Sequence, residues 1–311
     1  MADFISRRGM LHQSIRTVTA LGISSMASEL TPMVAAAQNA PADRTDARPA
    51  PTIPIALGLD LYYREDWLGK PWLNPEPVLF IHGVGESGAA WFGWVPRMAQ
   101  EFRLFRPDLP GFGHSTVSDD FAWSLPNLAM VFAHFLDALH LESAHIIGAK
   151  LGGAIASQFA ADYPRRTRTL VLAGAALTPP VYRSTSASIL EKEWVTDTQA
   201  DRLGSGASKE EVEYWNKMMA TASQRTKDGV GKVASMINMD NIMSRIAAPT
   251  LVITTDRNAL RPVETILHYQ QKIPNSRLLV LPSDAYHVAV AKPDECVTNV
   301  LSFIKETQTR G

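Results

Sequence analysis

From residue 77 onward, short apolar runs alternate with amphipathic stretches, and that alternation admits few architectures. Pro77-Val78-Leu79-Phe80-Ile81-His82 is apolar almost without a break and stops at Gly83. A strand buried on both faces has this composition, whereas a half-exposed strand alternates apolar and polar residues. The same reading predicts strands over 103–107, 144–149, 169–172, 250–254 and 277–281. Residues 125–139 carry Leu128, Val131, Phe132, Phe135 and Leu136 at helical spacing, and helices are also expected over 151–163 and 293–304. Repeated strand–helix units of this kind imply an α/β class, a mostly parallel sheet flanked by helices on both faces.

The pattern is interrupted once, over 178–241, by a segment of helical composition with a Gly204-Ser205-Gly206 break. An insertion at the carboxyl side of a sheet is well placed to be a helical lid. Its aromatic and methionine side chains either line a substrate pocket or form the lid's own core, and methionine serves both. Trp194, Trp215 and Met218 are the substrate-contact candidates from this segment, with Trp91 from the sheet side.

Composition narrows the function. The 30 basic and 31 acidic residues leave a net charge of −1, without the basic surplus that nucleic-acid binding requires. Cys296 is the single cysteine of the 311 residues, so an internal disulfide framework and a cysteine-based zinc site are ruled out. No apolar run reaches the ~18–20 residues of a spanning helix. No His/Asp/Glu cluster has metal-ligand spacing, and no dinucleotide fingerprint is present, so neither a metal nor a cofactor is expected.

The chain opens Ser6-Arg7-Arg8-Gly9-Met10-Leu11-His12 and continues through a weakly apolar stretch to Ala35-Ala36-Ala37-Gln38-Asn39-Ala40. This resembles a twin-arginine signal peptide over residues 1–40, with cleavage after Ala37 or Ala40. The resemblance implies recognition by an export translocon and a periplasmic destination. Residues 41–54, rich in Pro, Ala, Asp and Arg, read as a flexible linker, which leaves 55–311 as the folded domain.

The strand at 144–149 runs through Gly148-Ala149-Lys150-Leu151-Gly152-Gly153 directly into a helix. A tight, glycine-flanked strand-to-helix turn is the geometry of a nucleophile elbow. With His82-Gly83-Val84-Gly85, Asp108-Leu109-Pro110-Gly111-Phe112-Gly113-His114-Ser115 and Tyr286-His287, the chain from Pro77 to Ile304 resembles the α/β-hydrolase superfamily. The first of these motifs, with Ser87 and Trp91, is also similar to the carbon–carbon-bond hydrolases of aromatic breakdown. The resemblance implies a catalytic histidine at His287 and an oxyanion hole from the backbone N–H groups of Leu151 and of Val84 or Gly85. It also implies an acid four residues before Pro262, where this chain has Asn258, with Asp256 two residues earlier as the alternative.

The elbow residue departs from the family, being Lys150 where a serine is usual. An acyl group passed to an amine becomes an amide that water does not readily release, so ordinary covalent ester hydrolysis is excluded. Two chemistries remain open. A neutral Lys150 forms an imine with a ketone, whereas a charged Lys150 anchors a carboxylate, enolate or oxyanion while His287 moves a proton. The expected activity is that of an exported enzyme acting on a small hydrophobic carbonyl or carboxylate compound by carbon–carbon cleavage, decarboxylation or elimination. Two other readings stay open: an atypical hydrolase in which His287 activates water, and a non-catalytic ligand-binding protein.

Overall fold

The computed structural model describes residues 52–56, 58–177, 202–219, 222–258 and 261–309. The expected signal peptide over 1–40, most of the expected linker and Trp194 lie outside the described residues. Among the described residues the sheet begins at Thr52, within the segment 41–54 that was expected to be linker.

An eight-stranded sheet has the order β1-β2-β4-β3-β5-β6-β7-β8. Its strands are β1 (Thr52–Ile55), β2 (Leu59–Asp66), β3 (Pro77–Ile81), β4 (Arg103–Pro107), β5 (Ala144–Lys150), β6 (Thr167–Ala175), β7 (Thr250–Thr255) and β8 (Ser276–Leu281). From β4 to β8 every neighbouring pair is parallel, while β1 and β2 run antiparallel at one edge. The fold is the α/β-hydrolase fold, as the elbow and strand pattern implied.

The alternation of side chains along β3 explains the layers. Leu79 and Ile81 enter one core with Leu128, Phe132, Phe135, Ile155 and Phe159, which come from the helices Leu125–Ala138 and Leu151–Asp162. Val78 and Phe80 enter the other with Trp91, Trp94, Val297, Val300 and Ile304, the last three from the helix Pro293–Gln308. Each large apolar side chain so buried contributes about 1.5–3 kcal/mol, which makes both faces of the central strands costly to expose. Ser124 starts the helix Leu125–Ala138 by accepting the Asn127 N–H on its hydroxyl.

The connections from β3 and β5 create the functional crevice. β4 lies on one side of β3 and β5 on the other, so the chain changes direction between them. In open parallel sheets ligands bind outside the carboxyl ends of the strands at such a switch point. The loop after β3 and the elbow after β5 both arrive there, since Ile81 pairs with Gly148 at the ends of the two strands. The insertion between β6 and β7 includes the helices Lys209–Met218 and Gln224–Ser235.

Candidate active site

Lys150 closes β5 and precedes the helix Leu151–Asp162 with φ 51° and ψ −125°. A non-glycine residue held there stores backbone strain of about 1–3 kcal/mol, and its neighbours must over-determine it. They do. The Lys150 carbonyl accepts the Ala176 N–H at 2.8 Å from the end of β6, and Gly83 lies against its side chain. A methyl group on Gly83 would stand 2.8 Å from the Lys150 Cβ, so only glycine lets the two loops approach this closely.

The Lys150 side chain is buried within a group of charged residues. Its Nζ donates to the Val84 carbonyl at 3.2 Å and to Glu86 Oε1 at 3.3 Å. Glu86, 4% exposed, accepts the Gly83 N–H on Oε2 at 3.0 Å. His287 Nε2 lies 2.7 Å from Glu86 Oε1, and Arg202 reaches the same oxygen at 3.9 Å. The Arg202 carbonyl accepts the His287 N–H at 3.1 Å and fixes the backbone of the histidine. The His287 Nε2–H axis is not aligned on Oε1, so the contact is an electrostatic one at short range. Nδ1 of His287 is buried without a hydrogen-bond partner among the described residues.

Burial by itself raises the Glu86 carboxyl, but His287, Lys150 and Arg202 outweigh it and hold it well below the ordinary carboxylate range. For His287 burial dominates and lowers its pKa; the Glu86 carboxylate opposes this, and Lys150 and Arg202 reinforce it. At neutral pH the site therefore contains an ionised Glu86 and a neutral His287.

These shifts predict an acid-sensitive fold. Burial also lowers the pKa of His82 and His145, so three histidines bind protons more readily in the unfolded chain. Their stabilisation is full above the ordinary histidine pKa of about 6.5 and is lost as pH falls below it. Glu86 acts in a lower window: its contribution is present above about pH 4.3 and is lost as pH falls towards its depressed folded value. Urea midpoints measured from pH 8 to 4 should begin to fall below about pH 6.5. A midpoint unchanged between pH 7 and 5 would contradict the assignment.

The resemblance named Leu151 and Val84 or Gly85 for an oxyanion hole, and these residues flank the elbow. Leu151 is the first residue of the helix after the elbow, and Val84 and Gly85 are buried in the loop facing it. The loop is held by Asp108, which accepts the Gly88 N–H at 2.7 Å and the His114 N–H at 3.0 Å. His82 is a structural part of this arrangement, accepting the Leu109 N–H at 2.8 Å. Ser87 caps the next turn, accepting from the Ala89 N–H at 3.3 Å.

Other candidates lie elsewhere. Asp256 does not turn to His287; it accepts the Ser283 N–H at 2.8 Å and pairs with Arg257 at 2.9 Å, near the surface. Asn258 is buried and accepts the Arg261 N–H on Oδ1 at 3.0 Å. Trp91, expected at the substrate, is a core residue 1% exposed, stacked against Phe80 and Trp94 because its turn follows β3 onto the inner sheet face. Trp215 is buried with Ala90 and Leu203, with Met218 partly buried against them, so this part of the insertion rests on the turn after β3. Cys296 is buried and its thiol is pushed far up by burial, as suits a core residue.

Glu86 and Arg202 were not expected. For Glu86 a signal existed: a lysine buried at an elbow needs a counter-ion, and Glu86 follows directly on His82-Gly83-Val84-Gly85. For Arg202, within a long insertion, spacing offers none. Among the described residues no group of three or more His, Cys, Asp or Glu is placed to hold a metal ion, and no helix is long and apolar enough to cross a membrane.

Comparison with known proteins agrees with the fold. A family model described as alpha/beta hydrolase fold matches residues 76–227. The pimeloyl-[acyl-carrier protein] methyl ester esterase of Aeromonas hydrophila is 26% identical over 258 residues, covering 74% of this chain and 96% of the esterase. A 2-hydroxymuconate semialdehyde hydrolase of a Pseudomonas species is 37% identical over 103 residues, covering 32% of this chain and 36% of that enzyme. The solved enol-lactonase from Burkholderia xenovorans superposes with a TM-score of 0.72 at 18% identity, covering 82% of this chain and 100% of the lactonase.

Proposed function

We propose that this chain, built on the α/β-hydrolase fold, is an enzyme that moves a proton on a small hydrophobic carbonyl or carboxylate compound without forming an acyl-enzyme. One observation carries the reading: the elbow presents the Lys150 amine, and that amine is ion-paired with a buried carboxylate 3.3 Å away.

The pair favours one of the two lysine chemistries over the other. Imine formation begins with a neutral amine, and a neighbouring ionised Glu86 favours the ammonium instead. Lys150 then serves as a fixed cation beside the backbone N–H groups of the oxyanion hole. Such a cation stabilises the negative charge that develops on an enolate or carboxylate oxygen. His287, neutral and buried, takes up a proton and returns it. Carbon–carbon cleavage, decarboxylation and elimination all need these two services. The family resemblance to carbon–carbon-bond hydrolases and the partial match to a semialdehyde hydrolase support carbonyl substrates.

The test is turnover of a panel of β-keto acids and diketones, with borohydride added during the reaction and peptide masses mapped afterwards. No adduct is expected on Lys150, and a fluorophosphonate should leave every serine unlabelled. Lys150→Arg should retain measurable activity. His287→Ala should lose roughly 10²–10⁴-fold, the usual contribution of a positioned acid–base group. A borohydride-trapped adduct on Lys150 would replace the fixed cation by imine chemistry. Stoichiometric labelling of a serine would restore ordinary acyl transfer.

A further inference from the structure

We propose that Glu86 is the positioning residue of this site and that it reverses the histidine, so that His287 carries its proton on Nε2 and accepts protons at Nδ1. The catalytic meaning of this assignment rests on the reading above, in which His287 moves a proton.

The side chains that the family pattern would place behind the histidine are committed elsewhere. Asp256 is held by the Ser283 N–H and by Arg257, and the Asn258 oxygen by the Arg261 N–H. The carboxylate nearest His287 comes from the loop after β3, on the side where an ordinary elbow would present a hydroxyl. Its Oε1 lies 2.7 Å from Nε2. The contact lies off the Nε2–H axis and is not a hydrogen bond, but a lone pair on each atom would still repel at that separation, so one of the two carries a proton.

The carboxylate is the poorer place for it. Glu86 is contacted by the Lys150 ammonium at 3.3 Å, by Arg202 at 3.9 Å and by the Gly83 N–H at 3.0 Å, all of which favour its ionised form. The proton therefore resides on Nε2. In the neutral ring Nδ1 is then a lone pair; like Nε2 it is buried with no hydrogen-bond partner among the described residues. Burial and the two cations oppose full protonation of the ring at rest.

A complete step follows. A C–H or O–H bond of the substrate breaks, its proton joins Nδ1, and its electron pair remains on the substrate as an enolate or oxyanion beside Lys150. The imidazolium so formed is offset by the charge of Glu86, 2.7 Å from Nε2. Returning the proton from Nδ1 to the product restores the neutral ring. No electrons are transferred to or from the protein. Glu86 never touches the substrate; it sets the tautomer of His287 and supplies the counter-charge for its protonated form.

The test is the long-range ¹H–¹⁵N spectrum of the whole chain labelled at histidine nitrogen, without any added ligand. His287 is assigned by the signal lost in His287→Gln. The neutral Nε2–H tautomer is expected at pH 7.5. The charged groups facing the ring are Glu86, Lys150 and Arg202. Removing the one that favours the cation, in Glu86→Gln, should move the His287 titration midpoint to lower pH. Glu86→Asp should move it less and provides a second variant if Glu86→Gln does not fold. A predominantly Nδ1–H ring in the unmodified chain overturns the inference, whatever the variants do. An unmoved midpoint in a folded Glu86→Gln overturns the counter-charge role. The spectrum needs no substrate, so this inference fails by its tautomer, whereas the reading above fails by its turnover.

Discussion

Lys150→Met is expected to end turnover and to lower stability by about 3–5 kcal/mol, because it strips a buried carboxylate of an ion-pair partner. Lys150 and Glu86 are 2% and 4% exposed, so water cannot take over the lost interaction. The activity loss and the stability loss have different origins, and a second substitution separates them. Lys150→Met combined with Glu86→Gln removes the carboxylate that Lys150 balances, although Arg202 then loses that partner too, and should recover part of the stability while remaining inactive. Non-additivity of this size is the usual mark of two residues in one buried network. Urea denaturation of the four proteins measures it. Equal stability of Lys150→Met and the unmodified chain would remove the ion pair from any account of this site.

Gly152→Ala is expected to disrupt the fold as severely. An added methyl group at Gly152 would lie 2.1 Å from the Ile81 carbonyl oxygen and 2.4 Å from that of His82. Both obstacles are backbone at the end of β3, so no flexible side chain can swing aside. Overpacking ordinarily costs about 1–3 kcal/mol, and a clash with a central strand lies at or beyond the upper end of that range. The helix Leu151–Asp162 would have to back away from the sheet, carrying Lys150 with it. Gly206→Ala is the control: nothing lies within 4 Å of its added methyl group. A urea midpoint for Gly152→Ala as high as that of the control would disprove the close approach.

The core of this fold was legible because burial on both faces leaves an unmistakable trace. β3, β5 and β7 are buried along their whole length, and the expected strands there match to within a residue or so. β2 was not among the expected strands although Leu59 and Leu61 alternate with Asp60, because it is only partly buried and lacks a continuous apolar run. The elbow was equally legible: glycines on both sides of residue 150 announce a turn whatever side chain it carries. What the chain could not disclose was partnership. Counting back from Pro262 sets a position along a loop but not the direction of a side chain, and the Asp256 carboxylate is drawn off by Arg257. Glu86 becomes a site residue only when two loops 64 positions apart close on each other.

The short antiparallel edge has a consequence for assembly. β1 is only four residues long and includes Pro54, which has no N–H to offer a neighbour. It pairs with Leu59–Tyr62 of β2, which would otherwise present a longer row of backbone donors and acceptors. Short, proline-bearing edge strands are poor templates for a further strand. Along β1 the sheet is therefore poorly suited to extending its ladder into a neighbouring copy.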